Sequence, residues 1–247
     1  MDGRKMGSES LLNNMLIVVP AKSHSTRLPG KVLREVCNRP LIWYTLDYIR
    51  RIGCEAKAVA VTDGENVADA VRAINPRIGV VMEPFVEHES TPRALAWAIK
   101  HEREQGRKVD LVCSMEPTRP VRQFGYLDRA LWLMDDGITG VRSLVPSQMP
   151  VEFHCHLGSH SELQWCGEID LSQNLMPSYV PGGGIELYWA DAPRLDDTVM
   201  SFYQRANLRG CVSDTPPCDI DTQDDLDWFE FLLKSRKTLW EPAVLLL

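Results

Sequence analysis

Lys22, Arg27 and Lys31 fall within ten residues, interleaved with the hydroxyls of Ser23, Ser25 and Thr26 and closed by Pro29-Gly30. The stretch follows a short apolar segment, Met15 to Val19, that reads as a buried strand. Fixed positive charge and hydroxyl donors that converge where a chain leaves a sheet can hold a polyanion. The run is not a Walker A loop, because no earlier glycine is in place and Val32, not a hydroxyl, follows Gly30-Lys31. The plain alternative is a solvated basic turn.

A second candidate lies near the other end of the chain. Asp219-Ile220-Asp221 precedes a helical pattern. On an extended segment, residues two apart point to the same side, so two carboxylates share one face with Ile220 opposite. Left alone they repel each other. A hard divalent cation such as Mg²⁺ removes the conflict, and such ions take one or two carboxylates together with substrate phosphates. The alternative is a cap, with Asp221 serving the helix start.

The elements that must position these groups read as an alternation. Strands are predicted at Met15–Val19, Ala56–Val61, Gly79–Met82 and Val109–Ser114. Helices are predicted at Pro40–Arg51, Glu65–Ile74, Pro92–Gln105 and Phe124–Asp136, with Gly53, Gly106 and Gly137 as stops. Trp97 and Trp132 on these helices read as core. The βαβα order predicts an α/β fold, a mostly parallel sheet covered by helices on both faces. Ligands of such sheets sit at the carboxyl ends of the strands, where the basic loop and the loop at Glu116 both belong. Ser143 to Tyr179 is irregular and reads as an insertion of short strands, spanning about 143–180 of a single domain 1–247. Strand character returns at Gly183–Tyr188. A final helix starts at Thr222, a good N-cap, with Asp224 and Asp225 at its positive end.

Composition sets the limits. The 247 residues carry a formal net charge of −7, against bulk nucleic-acid binding. No apolar run approaches the ~20 residues of a membrane span. Met1–Ser10 is polar and lacks a signal-peptide core, so a cytoplasmic protein is expected. The seven cysteines include no CxxC pair and read as reduced thiols. His154, Cys155, His156, His160 and Cys166 match no common zinc spacing.

Taken in order, Pro20 to Lys31, Asp110 with Glu116-Pro-Thr-Arg-Pro-Val-Arg122, Tyr179-Val-Pro-Gly-Gly-Gly-Ile185 and Asp219 to Leu226 resemble the N-acylneuraminate cytidylyltransferase (CMP-sialic acid synthetase) family. The Ser25–Lys31 stretch is closer to the related CMP-KDO synthetases. The resemblance runs from about Met15 to Leu233. It implies a Rossmann-like, GT-A-like nucleotidyltransferase core and a homodimer whose insertion reaches the partner subunit. It implies a reaction of CTP with a sugar acid to give a CMP-sugar and pyrophosphate. It places Ala21, Lys22, Ser25, Arg27 and Lys31 on the nucleotide, with Lys31 toward the α-phosphate, and Asp219 and Asp221 on Mg²⁺. Glu116, Thr118, Gly183 and Glu186 fall at sugar-binding positions. Lys31, Arg27 and Asp221 are the expected catalytic groups, Asp221 serving as base through a metal-bound water.

The chain departs from that family mainly at the sugar positions. Glu116 replaces a usual Gln, Gly182-Gly-Gly184 replaces Asn-Gly-Ala, and Glu186 replaces a Tyr. Ser172 falls where an Arg is usual, and Val32 where Asn is usual. Two added glutamates are expected to repel a carboxylate and favour an amine or hydroxyls, which points to an acceptor other than N-acetylneuraminate. Arg119 and Arg122 are candidates for phosphate or partner contact. The competing readings are a nucleotidyltransferase with a different acceptor and a degenerate, non-catalytic nucleotide-binding protein.

Overall fold

The computed structural model describes residues 12–84, 90–147, 149–157, 159, 163–168 and 175–235. His160 and Ser172 lie outside them. Chain order gives β1 (Met15–Pro20), the small hairpin β2 (Glu35–Val36) and β3 (Arg39–Pro40), α1 (Leu41–Arg51), β4 (Lys57–Thr62), α2 (Glu65–Ile74), β5 (Gly79–Met82), α3 (Thr91–Glu104), β6 (Leu111–Ser114) and α4 (Tyr126–Trp132). There follow β7 (Gly140–Pro146), the hairpin β8 (Cys155–Leu157) and β9 (Leu163–Trp165), β10 (Tyr179–Trp189), α5 (Val199–Arg205), β11 (Leu208–Val212) and α6 (Gln223–Ser235).

Seven strands form one sheet in the order β11-β7-β10-β6-β1-β4-β5. β1 lies between β4 and β6 and is parallel to both, while β10 runs antiparallel to β6 and β7. Strand β1 shows why the sheet is covered twice. Ile17 and Val19 face a core shared with Ile42, Leu46, Val67 and Leu127, while Leu16 and Val18 face Ala94, Leu95, Ile99 and Phe202. An uninterrupted apolar strand is what burial on both faces demands.

The first half keeps the expected elements to within a residue or two, with one exception. The helix expected over Phe124–Asp136 is the shorter α4; Gly125 starts it with φ 74° and Asp135 closes a turn onto the Gly137 amide at 2.8 Å. Trp132 therefore ends the helix and is 72% exposed rather than core, because Tyr126, Leu127, Ala130 and Leu131 take the inward positions. The second half departs further. β7 and both ends of β10 belong to the main sheet, so Ser143–Pro146 and Tyr179–Val180 are framework rather than insertion. The β8–β9 hairpin forms a separate two-stranded sheet. Among the described residues, no group of three or more His, Cys, Asp or Glu is arranged to hold a metal, which includes His154, Cys155, His156 and Cys166. No described helix is long and apolar enough to cross a membrane.

Candidate active site

The carboxyl ends of β1, β4, β5 and β6 open onto a cleft of about 590 Å³. β1 is the switch point of the sheet, with neighbours reached in opposite directions, and the crevice beyond such a strand is where ligands of open α/β sheets bind. Lys22, Ser25, Arg27 and Lys31 line the cleft together with Asp219 and Asp221. Ala21, Glu116, Thr118 and Arg119 line it too.

These groups meet because apolar residues between them are buried together. Leu28 from the basic loop, Val121 from the loop after β6, and Ile220 from between the aspartates share one cluster with Leu41, Leu226 and Phe229. Burying side chains of this size stabilises by roughly 1.5–3 kcal/mol each, so the packing of Leu28, Val121 and Ile220 fixes where their charged neighbours point. Ile220 is fully buried and its amide donates to the Thr118 carbonyl at 2.8 Å. Thr222 and Asp225 form a reciprocal cap at the start of α6, with the Asp225 amide on Thr222 Oγ1 and the Thr222 amide on Asp225 Oδ2. The cap is thus made without the Asp221 carboxylate, which is left to face the cleft.

Asp63, at the end of β4, anchors the basic loop from the other side. Its carboxylate accepts from the Ser23 amide at 2.7 Å and lies 3.2 Å from His24 Nδ1. Burial works to raise its pKa, but the Ser23 and His24 contacts prevail and hold the carboxyl below its ordinary value.

At this end of the cleft each oxygen of Asp221 meets a cation. Lys31 Nζ lies 2.7 Å from Oδ1 and Arg27 NH1 lies 2.6 Å from Oδ2. Lys31 also donates to the Ile220 carbonyl at 2.8 Å. Asp219 uses one oxygen, Oδ2, on Arg119 at 3.0 Å, while its Oδ1 makes no hydrogen bond among the described residues. Two hard oxygen donors two residues apart on one wall suit Mg²⁺ shared with phosphate oxygens. They would not hold the ion alone, in keeping with the lack of a larger carboxylate cluster among the described residues.

The other end of the cleft is built differently. Glu116 accepts from Thr91 Oγ1 at 2.7 Å and pairs with Arg119 NH1 at 3.1 Å. Burial is the main reason its pKa is raised, with Glu186 adding to the effect and Arg119 opposing it. Glu186 does not reach the cleft wall. It sits behind Arg119, where Tyr188 and Tyr203 donate to Oε2 and Arg142 Nε lies 2.8 Å from Oε1. Burial is the first cause holding both phenols protonated, and so available as donors. Gly183 is not on the wall either. It belongs to a bulge in β10 between Pro181 and Glu186. A Cβ on Gly184 would lie 2.3 Å from the Arg119 carbonyl, so this glycine run lets the loop carrying Arg119 pass close by. Arg122 does not line the cleft. It is fully buried, bonded to the Gly184 carbonyl and Thr45 Oγ1, and burial pushes its pKa down to about 10.

Residues 16–136 match the family model for cytidylyltransferases. That stretch, just under half of the chain, is similar to cytidylyltransferases. The matched segment holds the basic loop, Asp63, Glu116 and Arg119, and the aspartates of the same cleft lie beyond it. A 3-deoxy-manno-octulosonate cytidylyltransferase of Geobacter metallireducens is 27% identical over 114 residues, 46% of this chain. The match spans only 42% of that relative's length. The fold resembles a structure of CMP:2-keto-3-deoxy-manno-octonic acid synthetase complexed with CTP, with TM-score 0.65 and 19% identity over 90% of this chain and 98% of that one. It also resembles 4-diphosphocytidyl-2C-methyl-D-erythritol synthase, with TM-score 0.65 and 15% identity over 89% and 99% of the two chains. At these identities the likeness establishes the architecture: a mostly parallel central sheet flanked by helices.

Sequence reasoning missed part of the cleft. Glu83, Ser90, Thr91 and Ala94 line it. A usable signal existed, because β5 is parallel to β4 and the segment after Met82 must emerge on the same edge. Ser90 was a readable helix cap as well; its side chain accepts from the Arg93 amide.

Proposed function

We propose that this chain is a CTP-dependent cytidylyltransferase that transfers CMP to a sugar acid and releases pyrophosphate. The observation that carries the reading is the convergence of Arg27, Lys31, Asp221 and Asp219 on one cleft at the switch point of the sheet. Without ligand, the cations and carboxylates satisfy each other. A triphosphate offers Lys22, Arg27 and Lys31 alternative anionic partners, and Asp219 and Asp221 are then available for Mg²⁺. The ion supplies charge neutralisation for the phosphates and for the leaving pyrophosphate.

The chain's own residues do the remaining work. Ser25 and Lys22 bind along the phosphates, and Lys31, braced by the Ile220 carbonyl, offsets the negative charge that grows in the transition state. Both oxygens of Asp221 face cations, so its part in this reading is to orient them and to hold the metal. Service as a base requires release from Arg27 and Lys31.

At the acceptor end, Glu116, Thr91 and Thr118 offer partners for hydroxyls. The glutamates do not form the repulsive patch expected from sequence. Arg119 and Arg142 compensate them, which restores a carboxylate as an acceptable ligand group. Dimerisation through the hairpin is part of the proposal, supported by exposed Leu157 and Trp165 on it.

The test is pyrophosphate release with each of CTP, UTP, ATP and GTP against 3-deoxy-manno-octulosonate, N-acetylneuraminate and other sugar acids. CTP with at least one sugar acid is expected to turn over. Binding of CTP detected by thermal shift, with no pyrophosphate from any combination, overturns the catalytic reading in favour of a non-catalytic nucleotide binder.

A further inference from the structure

Arg119 carries five N–H donors in a rigid planar fork. Its NH1 faces two carboxylates, Glu116 Oε2 at 3.1 Å and Glu186 Oε1 at 3.5 Å. Its other edge, Nε with NH2, is the geometry that grips a carboxylate in two-pronged fashion. Here both atoms of that edge point at a single oxygen, Asp219 Oδ2, at 3.1 and 3.0 Å.

The partners on the two edges differ in kind. Glu186 is buried and tied to Arg142 and two tyrosines, and Glu116 is tied to Thr91. Asp219 is 46% exposed on the cleft wall, with its second oxygen unengaged among the described residues. The Arg119 side chain is only 15% exposed, and the Gly184 bulge leaves room for its backbone. The fork is fixed; the carboxylate on its outer edge can be exchanged.

We propose that the Nε–NH2 edge of Arg119 receives the carboxylate of the acceptor, and that Asp219 occupies this edge until nucleotide and metal draw it away. The proposal rests on the cytidylyltransferase reading above. The exchange conserves charge at Arg119, because an incoming carboxylate replaces that of Asp219 like for like. The consequence is an order of binding, nucleotide first and acceptor second.

The test is calorimetric binding, which needs no turnover. The probes are the non-cleavable α,β-methylene analogue of CTP with Mg²⁺, then 3-deoxy-manno-octulosonate, N-acetylneuraminate and pyruvate. Wild type is expected to bind at least one carboxylate only when loaded with analogue and Mg²⁺. Asp219→Asn is expected to bind that carboxylate without nucleotide, at least about tenfold more tightly than unloaded wild type, or 1.4 kcal/mol. Arg119→Gln is expected to weaken carboxylate binding by at least about tenfold, with analogue affinity within about threefold. Arg119→Lys, which keeps the charge but loses the fork, repeats the measurement if the glutamine variant fails to melt cooperatively. The proposal is overturned if loaded wild type binds none of the carboxylates, if Asp219→Asn shows no gain, or if the Arg119 variants bind as wild type does. Failure of wild type to bind the analogue at all is a different result: it removes the cytidylyltransferase reading and this proposal with it.

Discussion

The two ends of the cleft use the same materials to opposite ends. At the basic loop, Asp221 is 26% exposed and pairs with an exposed Arg27, at 68%, and with a more buried Lys31, at 12%. Around Glu186, the carboxylate is 4% exposed and every partner is packed. Exposed pairs contribute about 0–1 kcal/mol and are screened by salt, so ligand phosphates can displace the Arg27–Asp221 pair at little cost. Breaking a buried pair by removing one partner costs about 3–5 kcal/mol. One end of the site is therefore exchangeable charge, and the other is a fixed platform.

The sharpest way to break this comparison is Glu186→Ala. It strands Arg142 and two tyrosine hydroxyls, and a loss of about 3–5 kcal/mol is expected, which lowers Tm by roughly 6–20 °C for a chain of this size. A shift under about 2 °C on thermal melting makes the platform no more structural than the basic loop. Next in size is Lys31→Met, whose effect belongs to chemistry rather than to stability. The kcat/KM for CTP-dependent pyrophosphate release is expected to fall about 10²–10³-fold, while Tm stays within a few degrees. A large Tm loss with intact kcat/KM reverses the assignment of the two ends.

The smallest effect is at Asp63, which fastens the exchangeable end. Its folded pKa lies below the ordinary value, so its contribution is complete above about pH 4 and is lost as pH falls through the folded value. Asp63→Asn is expected to lose about 1 kcal/mol at pH 7. The gap from wild type should close as melting is repeated down toward pH 3. A gap that is constant with pH means that Asp63 acts through packing and not through its charge.

The same contrast explains what could be read from the chain. The basic loop was legible because its charges lie within ten residues and follow an apolar strand. The aspartates were legible because an i, i+2 spacing on extended chain has one geometric meaning. The platform was not. Glu186 is 44 residues from Arg142 in sequence, and nothing local says that they pair. Glu116 and Glu186 therefore looked like uncompensated charge, and the glycine run beside Glu186 looked like a sugar contact. That run instead makes room for the Arg119 loop. The first half of the fold was legible for a related reason: parallel strands buried on both faces give continuous apolar runs. β7, α5 and β11 lack that signature, and β11 is a half-exposed edge strand.

The grip of Lys31 and Arg27 on Asp221 has an effect on what enters the cleft. A stray inorganic anion finds those cations already satisfied, and a stray metal ion finds the carboxylate already claimed. Neither visitor alone has much to gain. A polyphosphate arriving together with its counter-ion lets both sides change partners at once, so the resting pocket favours the two together over either one alone.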